Sequence, residues 1–118
     1  MNFYDLNIWK ESCSLSIEIY KITRTFPKSE IFALSSQLQR ASTSIPANIA
    51  EGFGRKGDKE FVQYLYQAKG SLCETQNFLF IIKELNYIEY DQFKSIFDKY
   101  EILAKMLNSF ISKVKQNV

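Results

Sequence analysis

The stretch from Gln37 to Arg55, QLQRASTSIPANIAEGFGR, decides the fold of this chain, because it reads as one helix with two different faces. One face is an apolar stripe with helical spacing: Leu34, Leu38, Ala41, Ile45 and Ile49. The other is a polar row: Gln37, Arg40, Ser44, Asn48, Glu51 and Arg55. This row contains Ser and Asn, which are poor helix formers, where an ordinary solvated face would carry Lys and Glu. The row therefore predicts a place where the protein meets a partner.

Three further helices are predicted outward from this stretch, and strand-like alternation is not sustained anywhere. The expected bounds of the four helices are 6–26, 29 or 30–53, 58–85 and 91–114. Pro27 ends the first helix, Asp58 is the expected N-cap of the third, and Asn86 ends the third in the left-handed conformation. Four helices with short links predict an all-α, antiparallel up-down-up-down four-helix bundle in a single domain, residues 1–118.

The third and fourth helices carry regular apolar stripes, which we interpret as core. On the third helix the stripe is Phe61, Leu65, Ala68, Leu72, Leu79 and Ile82. On the fourth, two rows repeat every seven residues: Phe93, Tyr100, Leu107 and Val114, and beside them Ile96, Leu103 and Phe110. Stripes of this kind bury against one another and need no ligand.

The first helix carries two opposed apolar stripes, although a helix in a monomeric bundle needs only one. The first stripe is Ile8, Leu15, Ile19, Ile22 and Phe26, and the second is Leu6, Trp9, Cys13, Ile17 and Tyr20. We expect one stripe to face the core and the other a neighbouring subunit. Two alternatives stay open, a central position of this helix or cover by a chain terminus. The expected subunit interface combines this helix with the polar row: Trp9, Cys13, Ile17, Tyr20, Arg40, Asn48 and Glu51.

Two residues interrupt the helical pattern. Pro46 lacks an N–H and presses on the carbonyl of Ser42, so the second helix should kink or restart there, either as a tolerated kink or to aim its end at a partner. Gly70 lies inside the third helix, where it suits close approach of another helix or of a long side chain, or is simply tolerated.

Composition argues against the common kinds of catalytic and metal site. The 118 residues include no His, which removes Ser-His-Asp and Cys-His arrangements and the commonest metal ligand. No Walker loop or GxGxxG motif is present, and the GFGRKG turn is a very weak phosphate loop. Glu51 and Arg55 are spaced as an i,i+4 ion pair. We expect no catalytic residues, no cofactor and no metal.

The expected compartment is the cytoplasm. The polar start of the chain does not read as a signal peptide, and no apolar run is long enough to span a bilayer. Cys13 and Cys73 make no CxxC pair, which fits a reducing compartment, although a single bridge between them stays open.

The segments FPKSEIFALSSQLQRASTSIPANIAEGFGR and KEFVQYLYQAKGSLCE resemble the bacterial four-helix-bundle family of 23S rRNA intervening-sequence proteins over nearly the whole chain. The resemblance implies homopentameric rings with no established enzymatic activity. A similar bundle occurs in the accessory protein of diversity-generating retroelements, which binds nucleic acid and a reverse transcriptase. One departure is Gly57, where the family has Ser or Thr. The recurrent residues of the family match Gln37, Arg40, Ser44, Asn48, Glu51, Gly52, Arg55, Gly70, Ser71 and Glu74.

Three functions are compatible with these features. The first is a non-catalytic oligomeric scaffold that binds RNA or DNA, since a ring multiplies the net charge of +2. The second is a scaffold that binds only proteins, and the third, an enzyme, is least favoured because His is absent. The residues expected to contact nucleic acid are Arg55, Lys56, Lys59, Lys69 and Lys83, with Tyr64 and Tyr66 as stacking platforms.

Overall fold

Four long helices and no strands make up the chain, which confirms the predicted all-α class. The computed structural model describes residues 1–118. The helices are α1 (Asn7–Thr23), α2 (Leu34–Phe53), α3 (Asp58–Glu84) and α4 (Tyr90–Lys115), with single 3-10 turns at Phe3–Asp5 and Lys28–Glu30. Together they form an elongated bundle of 45 × 25 × 20 Å.

The helices pack in chain order, and α4 closes back on α1, so that α1 and α3 lie diagonally opposite each other. This is the up-down-up-down bundle that the short connections predict. The α2–α3 turn and both chain termini lie at one end of the bundle, which we call the terminal end. The α1–α2 and α3–α4 turns lie at the other, which we call the far end.

The core is built from the stripes that the sequence predicts. Leu38 and Ile45 of α2, Leu65 of α3 and Leu107 of α4 are fully buried. One difference occurs near the end of α4, where Phe110 is only half-buried and the next residue, Ile111, is buried. A helix has 3.6 residues per turn, so a strict seven-residue row drifts by about 20° per repeat, and the row that starts at Ile96 leaves the core after two repeats.

The second apolar stripe of α1 is only partly covered within the chain. Leu6 is buried, and Trp9 packs against Phe3 of the N-terminal turn, with ring centroids 5.3 Å apart. Cover by a terminus therefore accounts for this part of the stripe. Farther along, Ile17 is 58% exposed and Tyr20 is 43% exposed, so nothing in the chain covers them.

Two predicted helix bounds and one predicted N-cap are wrong. α1 ends at Thr23, because the chain turns through Arg24–Phe26 with short-range backbone bonds before Pro27. α2 begins at Leu34, where the apolar spacing starts, because Ala33 has a non-helical backbone (φ −124°, ψ −104°). The N-cap of α3 is Gly57 rather than Asp58, because its φ of 97° favours glycine. Asn86, with φ 59°, has the predicted left-handed conformation.

The two interruptions behave differently from each other. α2 continues through the buried Pro46 without restarting. A Cβ at Gly70 would have nothing within 4 Å, so no helix of this chain approaches it closely. The close approach lies instead at Gly52, where a Cβ would come within 2.5 Å of the Cβ of Tyr64. Gly52 therefore sets how tightly α2 packs on α3.

Candidate interaction surfaces

The exposed part of α1 belongs to a surface that α1 shares with α2, which we call the α1–α2 face. Tyr20 lines a hollow of about 340 Å³ that also includes Ser35 and Gln39 of α2. The Gln39 amide donates to the Thr23 hydroxyl at 2.9 Å, which fixes the spacing of the two helices. Ile17 is exposed on the turn of α1 before Tyr20, so the face combines an apolar ridge with polar edges.

Cys13 lies on the same row of α1, four residues before Ile17, and is half-buried. Partial burial raises the pKa of its thiol, since removal from water disfavours the thiolate. Cys73 lies on α3 and is exposed, and both cysteines are free thiols.

The polar row of α2 lies on the adjacent side of the bundle, which we call the α2–α3 face. The Ser71 hydroxyl of α3 donates to the Ser44 hydroxyl at 2.9 Å. The Asn48 amide donates to the carbonyl of Ser44 at 2.8 Å and to its hydroxyl at 3.0 Å. Ser44 therefore joins α2 to α3 at short range, and Asn48 holds the Ser44 side chain from within α2. Lys and Glu side chains are too long for this contact between the helices.

At the terminal end of the same row, Arg55, Glu51 and Tyr64 form a cluster. The Arg55 guanidinium donates to Glu51 Oε1 at 3.0 Å and to the Tyr64 hydroxyl at 2.6 Å, and it lies 5.0 Å from the centre of that ring. The hydrogen bond with Glu51 is the main reason that the pKa of Arg55 is raised. The predicted i,i+4 ion pair is confirmed, and both side chains remain about half exposed, 45% for Arg55 and 54% for Glu51.

The residues expected at a subunit interface therefore lie on two faces rather than one. Trp9, Cys13, Ile17 and Tyr20 belong to the α1–α2 face, and Asn48 and Glu51 to the α2–α3 face. Arg40 is exposed on α2, which the two faces share. Within one chain the ends of the polar row are solvated, so its burial against another subunit stays a prediction.

The residues expected to bind nucleic acid do not form one patch. Lys56 and Lys59 are exposed at the terminal end, beside Arg55. Lys69 is half-buried midway along α3. Lys83 lies near the far end, since α3 has 27 residues and is about 40 Å long. Its ammonium lies over the Phe93 ring at 4.8 Å and 3.4 Å from Glu84 Oε1, so it is already engaged.

The structure adds lysines from α4 that the sequence reasoning missed. Lys115 lines a small hollow with Lys59, and its ammonium donates to the Tyr66 hydroxyl at 3.2 Å. Lys105 and Lys113 also lie on the last part of α4. The signal was present in the sequence, because residues 102–118 contain three lysines and no acidic residue. Antiparallel packing of α4 places this segment at the terminal end.

The exposed groups of these surfaces are suited to molecular recognition. They are cations, hydroxyls and aromatic rings on the outside of a packed bundle. No cluster of three or more Cys, Asp and Glu has the geometry to hold a metal ion. None of the helices is both long and apolar enough to cross a membrane.

Four antiparallel helices packed around one core define an all-α four-helix-bundle protein. Within this class, the chain belongs to the 23S rRNA-intervening sequence protein family, whose family model matches residues 4–109. Among solved structures, a protein of unknown function from the S23 ribosomal protein family of Bacteroides thetaiotaomicron is similar, with 28% sequence identity and a TM-score of 0.79. The match covers 88% of this chain and 97% of that one. No curated protein matches this sequence.

Proposed function

We propose that the protein is a non-catalytic homo-oligomer of the bacterial cytoplasm, which binds RNA or DNA through basic residues at the terminal end. The observation that carries the oligomer is the pair Ile17 and Tyr20, which are 58% and 43% exposed on a rigid helix. Large apolar side chains grouped in this way mark a protein contact. The free thiols of Cys13 and Cys73 fit a reducing compartment.

The two faces support a head-to-tail contact between subunits. The α1–α2 face is an apolar ridge with polar edges, and the α2–α3 face is a polar row. Because these faces differ in chemistry and are adjacent sides of one bundle, contact between unlike faces turns each subunit relative to the last. Such contacts give a ring when the rotation closes and an open filament when it does not. The family resemblance supplies the number five.

The assembly test uses substitutions that leave the folded chain intact. Because Ile17 is exposed, Ile17→Lys should preserve helicity but place a charge in a desolvated contact. We expect light scattering at micromolar protein to show an oligomer for the parent and monomers for this variant. Ile102→Lys is the matched control, since Ile102 is 59% exposed on α4, away from both faces. A parent chain that is only monomeric refutes the assembly. Trp9→Lys is less decisive, because Trp9 also packs within the chain.

Nucleic-acid binding is supported by the cations at the terminal end. Lys56 and Lys59 are exposed and form no ion pair. In a ring of subunits this pair of lysines recurs once per subunit along one edge, which we call the Lys56–Lys59 rim. Such contacts neutralise phosphates, so affinity should fall steeply with salt and depend little on sequence. In a filter-binding titration with structured ribosomal RNA fragments, we expect Lys56→Glu with Lys59→Glu to weaken binding. Lys21→Glu with Lys94→Glu, the same charge change near the far end and outside the α1–α2 face, should not.

A scaffold that binds only proteins is the alternative, because Ile17 and Tyr20 mark a protein contact without reference to nucleic acid. The filter-binding titration distinguishes the two functions, because only the nucleic-acid-binding oligomer retains RNA or DNA. If the oligomer forms but retains no RNA or DNA at low salt, the protein scaffold is correct and the basic rim has no nucleic-acid ligand.

A further inference from the structure

The largest surface hollow of the bundle lies at the terminal end, between the start of α1 and the last third of α4. Its volume is about 770 Å³, within the range of small-molecule sites. It opens where α1 and α4 meet, the least extensive of the four helix contacts. We call it the α1–α4 groove. It is separate from the α1–α2 face, the α2–α3 face and the Lys56–Lys59 rim.

The groove has an apolar floor and a rim of polar side chains that are mostly hydrogen-bond donors. Ile8, Met106 and Phe110 form the floor, of which Ile8 is buried and the other two are half-buried. Lys105 and Lys113 line the rim together with Ser109 and Ser112. No carboxylate lines the groove, since Glu11, one turn along α1 from Asn7, stays outside it. Phe110 and Met106 pack favourably against aromatic rings, so the site is suited to a ligand with an aromatic part and an anionic part.

The lysines of the groove are not explained by their roles within the chain. Neither Lys105 nor Lys113 forms an ion pair. Lys113 is in the last turn of α4, where a cation stabilises the helix dipole. Lys105 lies two turns before it, and the dipole effect fades beyond the last turn. The first turn of α1 facing it contains no acidic residue and has no side-chain cap. Two cations thus face a groove wall without a balancing charge.

We propose that the α1–α4 groove binds a nucleotide, with its base on Ile8, Met106 and Phe110 and its phosphate held by Lys105 and Lys113. The nucleotide is either free or one unit of a single-stranded RNA. Binding of RNA in the groove rests in part on the proposed function, whereas binding of a free nucleotide does not. Serine hydroxyls at Ser109 and Ser112 supply additional donors to phosphate or ribose oxygens.

Calorimetric titration tests the groove directly. We expect adenosine 5′-monophosphate to bind more tightly than adenosine or inorganic phosphate, because it occupies both floor and rim. Lys105→Gln with Lys113→Gln should weaken it about tenfold or more, as expected when hydrogen bonds to a charged group are lost. Ser109→Leu should also weaken it, because the larger side chain fills the groove without changing charge. Lys21→Gln with Lys94→Gln, the same loss of charge at two exposed lysines outside the groove, is the matched control.

A ten-nucleotide oligoadenylate separates the two sources. Binding of the oligomer but not the mononucleotide, lost in Lys105→Gln with Lys113→Gln, assigns the groove to RNA. If neither ligand binds, or if that variant binds as well as the parent, the groove proposal is wrong. RNA binding that is lost in Lys56→Glu with Lys59→Glu but kept in the groove variant overturns this inference and leaves the proposed function standing.

Discussion

The Ser16 hydroxyl of α1 lies 3.0 Å from the carbonyl of Ser42 in α2 and 2.9 Å from the carbonyl of Ser12 in its own helix, so the two carbonyls share its single proton. Ser42 precedes Pro46 by four residues, and Pro46 has no N–H to donate to that carbonyl. Ser16 is 6% exposed and Ser42 is fully buried, so bulk water does not reach the site. A side chain of the neighbouring helix therefore replaces the missing backbone donor, and this allows α2 to continue through a proline.

We expect Ser16→Ala to lower the free energy of unfolding by about 1–3 kcal/mol, because it leaves a buried carbonyl unpaired. In a Pro46→Ala background the new N–H can bond the Ser42 carbonyl, so the same substitution should cost less. A double-mutant cycle from urea unfolding measures the difference. Ser14→Ala, at an exposed serine of α1, is the control. Equal costs of Ser16→Ala in both backgrounds would show that the bond does not compensate for the proline.

This contact shows how far the sequence determines the fold. Pro46 and the freed Ser42 carbonyl are visible in the sequence, because the i to i−4 relation is local. Ser16 is not, because pairing residues 26 positions apart depends on how α1 and α2 pack. The apolar stripes could also be predicted, because the residues of one stripe are three or four positions apart in the same helix.

The two glycines inside the helices should respond to alanine in opposite directions. Gly52→Ala should destabilise the protein by about 1–3 kcal/mol, because the added Cβ overlaps Tyr64 and forces α2 and α3 apart. Gly70→Ala should stabilise the folded chain by about 0.5–1 kcal/mol, because the site is open and alanine favours the helix. Urea unfolding of both variants measures the two effects.

A second measurement on Gly70→Ala tests whether another subunit packs on this glycine. If one does, the variant is more stable as a chain but assembles less well, which sedimentation velocity detects. Destabilisation by Gly70→Ala in a monomeric sample would contradict the open environment of this residue.

The two cysteines should differ in reactivity. Burial raises the pKa of the Cys13 thiol and restricts access to it, whereas Cys73 is exposed. We expect a chromogenic disulfide reagent at neutral pH to modify Cys73 first and Cys13 slowly. Cys73→Ser should remove the fast phase and Cys13→Ser the slow one. A single fast phase with two equivalents would show that Cys13 is fully accessible.

The candidate surfaces were less predictable than the core. The sequence identified Lys56 and Lys59 as cations near a turn, but it could not show that Lys115 from α4 lies beside Lys59. It also grouped Lys83 with them, although one helix length separates these residues. Helical spacing relates residues of one helix only. Which surface residues of different helices lie side by side depends on how the helices pack.

Tyr100 should make the protein sensitive to alkaline pH. Its side chain is fully buried, and its hydroxyl has no hydrogen-bond partner. Burial, and next the nearby Glu18 carboxylate, raise the pKa of the phenol above its ordinary value. Above about pH 10 the unfolded chain loses this proton while the folded chain keeps it, so the free energy of unfolding falls by up to about 1.4 kcal/mol per pH unit.

Tyr100→Phe should therefore have two effects. At pH 7 it should raise the free energy of unfolding by about 1–3 kcal/mol, because it removes an unpaired buried hydroxyl while keeping the ring. Above pH 10 the advantage over the parent should grow, because phenylalanine does not ionise. Urea unfolding at pH 7 and at several values above pH 10 measures both effects, with Tyr4→Phe, at a 51% exposed tyrosine, as the control. A Tyr100→Phe variant less stable than the parent at pH 7 would mean that the hydroxyl has a partner in solution, and a constant difference across the pH range would mean that its pKa is not raised.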